Sequence, residues 1–150
     1  WLPKNIPDDD ETSIVHGDYR LDNMILNNNK VMGILDWELS TLGHPIADFS
    51  YHCLSWRTQE AFWDQSKLKE LGIPNEREYM DMYCENTGKD LSKNWEFYMA
   101  FNMFKIAGIL QGILGRVRDG TASSKHAEDR GMMVYPLSEA AWNTIKENLL

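Results

Sequence analysis

Two apolar runs, Met24-Ile25-Leu26 and Val31-Met32-Gly33-Ile34-Leu35, flank the polar stretch Asn27-Asn28-Asn29-Lys30. Asparagine tolerates a positive φ, so this pattern predicts a β-hairpin. Just upstream, Ile14-Val15 reads as a short strand. Residues 1–12 are rich in Pro and Asp and read as a linker or loop, with Pro3 and Pro7 blocking regular structure. A loop follows Asp36, and then the pattern turns helical. Pro45 suits a first helical turn and opens a helix running to about Trp56. Residues 57–74 read as irregular or weakly helical. Asn75 then caps a helix, Glu78 completes a capping box, and Gly88 supplies the C′ stop. Tyr79, Met82 and Tyr83 give that helix one apolar face.

The longest helical pattern runs from about Ser92 to Arg118 and is apolar nearly all round, from Trp95 and Tyr98 to Leu114 and Val117. It predicts a helix of about 40 Å, buried in the middle of the fold. Gly108 and Gly112 would let a second helix approach closely. The competing reading, a membrane-type contact of small residues, is opposed by Asn102, Lys105 and Gln111. The chain closes with one or two helices, broken near Pro136.

The hairpin gives the candidate chemistry its geometry. Asp18 lies on the loop before it, Asn23 enters its first strand and Asp36 leaves its second. Folding the strands back brings Asn23 near Asp36. Hard oxygen donors of this kind suit Mg²⁺, which keeps several waters and shares its site with substrate phosphates. Asp18 remains free to orient a hydroxyl. Phosphoryl transfer uses this division of labour: metal neutralises phosphate charge and a carboxylate positions the nucleophile.

His16-Gly17-Asp18, then Asn23 five positions after the Asp, then Asp36-Trp37-Glu38, together resemble the catalytic and metal-binding segments of the aminoglycoside phosphotransferase and choline kinase family. These are small-molecule relatives of the protein kinases. Gly17 stands where protein kinases have Arg, and Trp37-Glu38 where they have Phe-Gly; both departures are typical of the small-molecule branch. More narrowly, Tyr19 to Asn23, Trp37 to Asp48, Leu71 to Pro74 and Tyr83 to Gly88 are similar to the kinase-like domain fused to some acyl-CoA dehydrogenases, and to its stand-alone bacterial relatives. This similarity covers most of the chain.

The resemblance implies an α+β fold: the mostly helical C-terminal lobe of a protein-kinase-like fold, with the small hairpin carrying the catalytic and metal-binding segments. It implies Asp18 as the catalytic residue, Asn23 and Asp36 as metal ligands, and ATP and Mg²⁺ as cofactors. It implies a small-molecule hydroxyl acceptor, of the hydroxyacyl-CoA type. It also implies that His16 braces the loop against the metal-binding segment and that Asp48 holds the loop by hydrogen bonds. On the residues alone, His16 is also readable as a general base and Asp48 as a helix-dipole carboxylate. Arg20 and Asp22 either contact phosphate or staple the loop. The substrate-binding residues are unassigned.

Family members carry an N-terminal lobe with a glycine-rich turn and an ATP-gripping lysine, and no Gly-x-Gly-x-x-Gly occurs in this sequence. Residues 1–150 are therefore expected to be the catalytic lobe of a longer protein, inactive alone, with the ATP-binding lobe outside the chain. A pseudokinase or a ligand-binding module without transfer activity is the alternative. A metallophosphoesterase fits poorly: its second Asp would fall one place late, at Asp22, and no Asp-x-His exists.

Composition narrows the partners. The formal net charge of −8 argues against a nucleic-acid partner, and a nucleotide and a small molecule remain. Asp8-Asp9-Asp10-Glu11 reads as a solvated loop. Cys53 and Cys84 lack metal-ligand spacing and read as free thiols of an intracellular protein. His44 and His52 have no paired ligand at i+4. No run of 18 apolar residues occurs, so no spanning helix and no membrane partner are expected. No export leader is visible, so the expected localisation is cytoplasmic, or organellar in a eukaryotic fusion. Arg116, Arg118 and Lys125 compensate a helix dipole or form an anion-binding edge for a CoA-type substrate.

Overall fold

The computed structural model describes residues 1–58 and 65–150, with the side chains of Gln65 and Ser66 left out. Strands β1 (Ser13–Val15), β2 (Met24–Asn27), β3 (Lys30–Ile34) and β4 (Thr41–Gly43) form two antiparallel pairs. The hairpin joins β2 to β3, with Asn27 opposite Lys30. Asn28 (φ 48°) and Asn29 (φ 60°) both lie in the left-handed region, the conformation of a two-residue I′ turn. A bulge at Met32 shifts the register between Leu26 paired with Val31 and Ile25 paired with Gly33. Strand β4 falls in the stretch read as loop. It pairs with β1 across the intervening hairpin, Ile14 opposite Leu42, a non-local partnership that three residues of local pattern do not announce.

Among the described residues six helices follow: α1 (Pro45–Cys53), α2 (Gln65–Leu68), α3 (Glu76–Thr87), α4 (Trp95–Arg118), α5 (Ala127–Met132) and α6 (Val134–Asn148). This is the expected α+β, mostly helical architecture. Helix α1 continues as a 3₁₀ turn to Trp56. Helix α3 carries the full capping box, Asn75 accepting from Glu78 N and Glu78 accepting from Asn75 N, each at 2.9 Å. Gly88 ends α3 at φ 71°. Within the segment read as irregular, residues 59–64 lie outside the described residues.

The core forms where α1, α3, α4 and α6 meet. Phe49 stacks on Tyr83 (ring centroids 3.9 Å apart) and packs against Trp95. Met99 and Met103 fill the centre. Arg57 binds Glu76 and Glu96 at 2.6–2.9 Å, tying the end of α1 to the starts of α3 and α4. Burial opposes the guanidinium charge, but the two carboxylates hold it protonated.

Four expectations change. Residues 1–12 are not all linker: Leu2–Lys4 form a 3₁₀ turn, and Trp1 and Leu2 pack on the core, Trp1 beside Phe97. Helix α4 is buried only in its N-terminal half, where all its buried residues lie between Trp95 and Ala107. Its glycines approach nothing: a Cβ at Gly108 or Gly112 would meet no atom within 4 Å, whereas one at Gly131 of α5 would lie 2.5 Å from Leu114 Cδ2. The break between the last helices falls at Met133, and Pro136 sits in the first turn of α6, where a missing N–H costs little.

Among the described residues α4 is the one helix long and apolar enough to cross a membrane, with a mean hydropathy of 1.3 over 18 residues. A third of that window is buried in the fold. Two of its polar members have internal partners: Asn102 donates to Ala47 O and Ser50 Oγ, and Lys105 to Gly17 O.

Candidate active site

The site begins where β1 ends. Gly17 takes φ +83°, and a Cβ there would sit 2.7 Å from Leu39 O. Only glycine serves both demands. The loop is then clamped by one carboxylate from the first turn of α1: His16 N donates to Asp48 Oδ2 (2.6 Å) and Gly17 N to Asp48 Oδ1 (2.8 Å). His16 is buried. Its Nδ1 accepts from Asp18 N (3.2 Å), so Nε2 carries the proton and donates to Leu35 O (2.7 Å). Both ring nitrogens are thus engaged, and the ring braces the residue before Asp36.

Asp18 is held at both oxygens. Tyr51 OH donates to Oδ1 (2.7 Å) and Asn23 Nδ2 to Oδ2 (3.0 Å). Asn23 Nδ2 also donates to Asp18 O (2.8 Å). The Asp18 side chain is nonetheless 16% exposed. Arg20 reaches Asp18 (3.4 Å) and Asp22 (3.8 Å) from the surface, the geometry of a staple across the loop.

Asn23 closes the 3₁₀ turn Leu21–Asn23 and is buried. Its amide nitrogen is committed to Asp18, and its amide oxygen has no hydrogen bond among the described residues. Leu35 N donates to Asn23 O (2.8 Å), so Asp36 follows immediately beside Asn23. Asp36 adopts φ 64°, ψ 55°, a left-handed conformation that Asp visits at a cost. Trp37 Nε1 to Ile34 O (2.8 Å) and the His16 ring 4.8 Å from the Trp37 ring lock the turn around it. The Asp36 carboxylate is exposed and makes no hydrogen bond or ion pair among the described residues.

One free amide oxygen and one free carboxylate suit a hard divalent cation. Among the described residues no three His, Cys, Asp or Glu side chains gather as a metal site. Mg²⁺ takes one or two protein ligands and fills its shell with water and phosphate. Two histidines outside the loop have other tasks. His44 caps α1, accepting from Ile46 N (3.2 Å), and stacks on Tyr98. Burial lowers the pKa of His52, which sits against Tyr19 O. Cys53 and Cys84 are both free.

Two residues escaped the sequence reading. Tyr51 lies three positions after Asp48 on α1, so the two share the face turned to the loop. Burial first, and then its hydrogen bond to Asp18, push the Tyr51 pKa up to about 12. Lys105 donates to Gly17 O (2.8 Å) and sits 4.9 Å from the Tyr51 ring centroid. Its signal was available: it is the only charged residue between Glu96 and Arg116. Both line a cleft of about 980 Å³ beside the loop, walled by Leu2, Ile6, Val15, Phe101, Phe104 and Trp142 among others.

A profile of the phosphotransferase enzyme family (APH) matches residues 1–83, more than half of the chain. The chain belongs to the APH phosphotransferase family. A crystal structure of a candidate aminoglycoside phosphotransferase from Ralstonia eutropha superposes with a TM-score of 0.88 at 50% identity, covering 98% of this chain and 47% of that one. Acyl-CoA dehydrogenase family member 10 of Mus musculus is 44% identical over 95% of this chain and 14% of its own length. Acyl-CoA dehydrogenase family member 11 of Homo sapiens is 39% identical over 93% of this chain and 19% of its own length. The APH domain described here thus spans less than a fifth of these two curated relatives and about half of the solved neighbour.

Proposed function

We propose that this APH domain is the catalytic lobe of an ATP-dependent kinase that phosphorylates a hydroxyl of a small molecule, of the hydroxyacyl-CoA class. Asp18 orients the acceptor hydroxyl and takes its proton as the oxygen attacks. Asn23, through its free amide oxygen, and Asp36 would hold Mg²⁺. When bound, that ion neutralises the charge of the nucleotide phosphates. The clamp of Asp48 on the loop fixes the distance between these groups, and positioning of this kind supplies much of the rate.

The single observation that carries the reading is the pairing of an oriented, partly open Asp18 with a bare Asp36 on the next turn. The apolar walls of the adjoining cleft favour an acyl chain over a polycationic aminoglycoside. The solved neighbour is about twice as long as this chain, which supports a second lobe that completes the nucleotide grip. The 150 residues alone are then inactive. The protein acts inside the cell on a nucleotide and a small molecule, with no nucleic-acid or membrane partner.

The test uses the complete protein, radiolabelled ATP and Mg²⁺, with a hydroxyacyl-CoA and an aminoglycoside as rival acceptors. Label moves to the hydroxyacyl-CoA. Asp18→Asn lowers that rate by about 10²–10⁴-fold while MgATP still binds. Undiminished transfer in the variant would overturn the role of Asp18. Binding of MgATP without transfer to any hydroxyl would make the domain a pseudokinase.

A further inference from the structure

The Asp18 carboxylate can swing about its terminal torsion, which has a broad, shallow profile in carboxylates. One donor on one oxygen does not stop that motion. Two donors, one on each oxygen, fix the plane. Asn23 supplies the first from the loop itself, and Tyr51 the second from α1. We propose that Tyr51 is a positioning residue for phosphoryl transfer, setting the plane of the Asp18 carboxylate, and that Lys105 supports it. This inference rests on the kinase reading above.

Three observations favour it over a packing role. The Tyr51 hydroxyl reaches a carboxylate 33 positions away in sequence, across the gap between α1 and the loop. Burial and Asp18 both disfavour the phenolate, so the hydroxyl stays a donor throughout the physiological range. Lys105 then fixes both sides of the contact. It holds the carbonyl of Gly17, the residue before Asp18, and lies over the Tyr51 ring. Asn102, one turn earlier on α4, anchors the same helix face to α1 through Ser50 Oγ (2.8 Å) and Ala47 O (2.9 Å). The lysine is therefore presented from a rigid support. Small misplacements of a reacting group are costly, on the order of 10²-fold for about 1 Å.

The experiment compares wild type, Tyr51→Phe, Asp18→Asn and the double variant in the complete protein, with MgATP and a hydroxyacyl-CoA. Tyr51→Phe is expected to lower kcat by about 10- to 100-fold while both KM values stay within about twofold, because only the oriented transition state needs the contact. In the double variant, losing Tyr51 adds nothing to the loss of Asp18. Lys105→Arg keeps most of the rate and Lys105→Met does not. A Tyr51→Phe enzyme as fast as wild type, or losses that multiply in the double variant, would overturn the inference. A wild type that transfers no phosphoryl group fails the kinase reading and this inference with it. An active wild type matched by Tyr51→Phe fails this inference alone.

Discussion

Asp18 and Asp36 flank the same hairpin, and the fold treats them in opposite ways. Asp18 is gripped at both oxygens by Tyr51 and Asn23, on a loop whose backbone is clamped by Asp48 and Lys105. Asp36 stands in a left-handed turn with its carboxylate exposed and without a protein partner among the described residues. The first arrangement is complete within the domain. The second is held in place by its neighbours, His16 and Trp37, while its own side chain contributes nothing to them. On the proposed reading, the difference separates two kinds of functional residue. A carboxylate that works on a proton needs fixed geometry, and the domain builds that geometry itself. A carboxylate that works on a cation needs free lone pairs, and the domain leaves them bare at a cost in backbone strain.

That contrast can be broken most severely at the clamp. Asp48→Ala strips two backbone N–H groups, those of His16 and Gly17, of charge-assisted partners in a part-buried loop. The expected cost is about 2–4 kcal/mol of stability, read by denaturant unfolding, together with loss of activity. An unchanged midpoint would mean that the loop holds its shape without α1.

Asp36→Gly sharpens the contrast from the other side. Glycine adopts φ 64° without penalty, so stability holds or rises by up to about 1 kcal/mol while MgATP binding is lost. A destabilised Asp36→Gly protein would show that the carboxylate is a structural partner after all.

The smallest expected effect concerns acid. Burial lowers the pKa of His52 in the folded chain, with Tyr19 O and Asp48 only partly offsetting it. The unfolded chain takes up that proton near pH 6.5 and the folded one resists it. The stability tied to His52 is full above pH 6.5 and is lost as pH falls through the lower folded value. His52→Gln should therefore flatten the acid limb of a stability–pH curve. Identical limbs would remove His52 from the account.

The parts of this molecule that were legible in sequence are local. Asn28-Asn29 announced a turn that only residues tolerant of positive φ can make, and Asn75, Glu78 and Gly88 announced both ends of α3. The spacing of Asp18, Asn23 and Asp36 around a hairpin was readable for the same reason. The missed features are contacts between segments far apart in sequence. Strand β4 exists because β1 offers it a partner. The apolar C-terminal half of α4 looked like core, but the buried residues of the helix all lie between Trp95 and Ala107. Tyr51 and Lys105 belong to the site through bonds to residues 33 and 88 positions away. A tyrosine one turn beyond Asp48 and a lone charge in an apolar helix were the available signals.

Asp36 is proposed as a bare cation ligand beside a preorganised catalytic loop. That role is tested most directly by the thermal midpoint of the complete protein with and without MgATP, for wild type and Asp36→Asn. Equal midpoints are expected for the two proteins without ligand, with a MgATP-induced rise in wild type that disappears in the variant. An equal rise in both would contradict it.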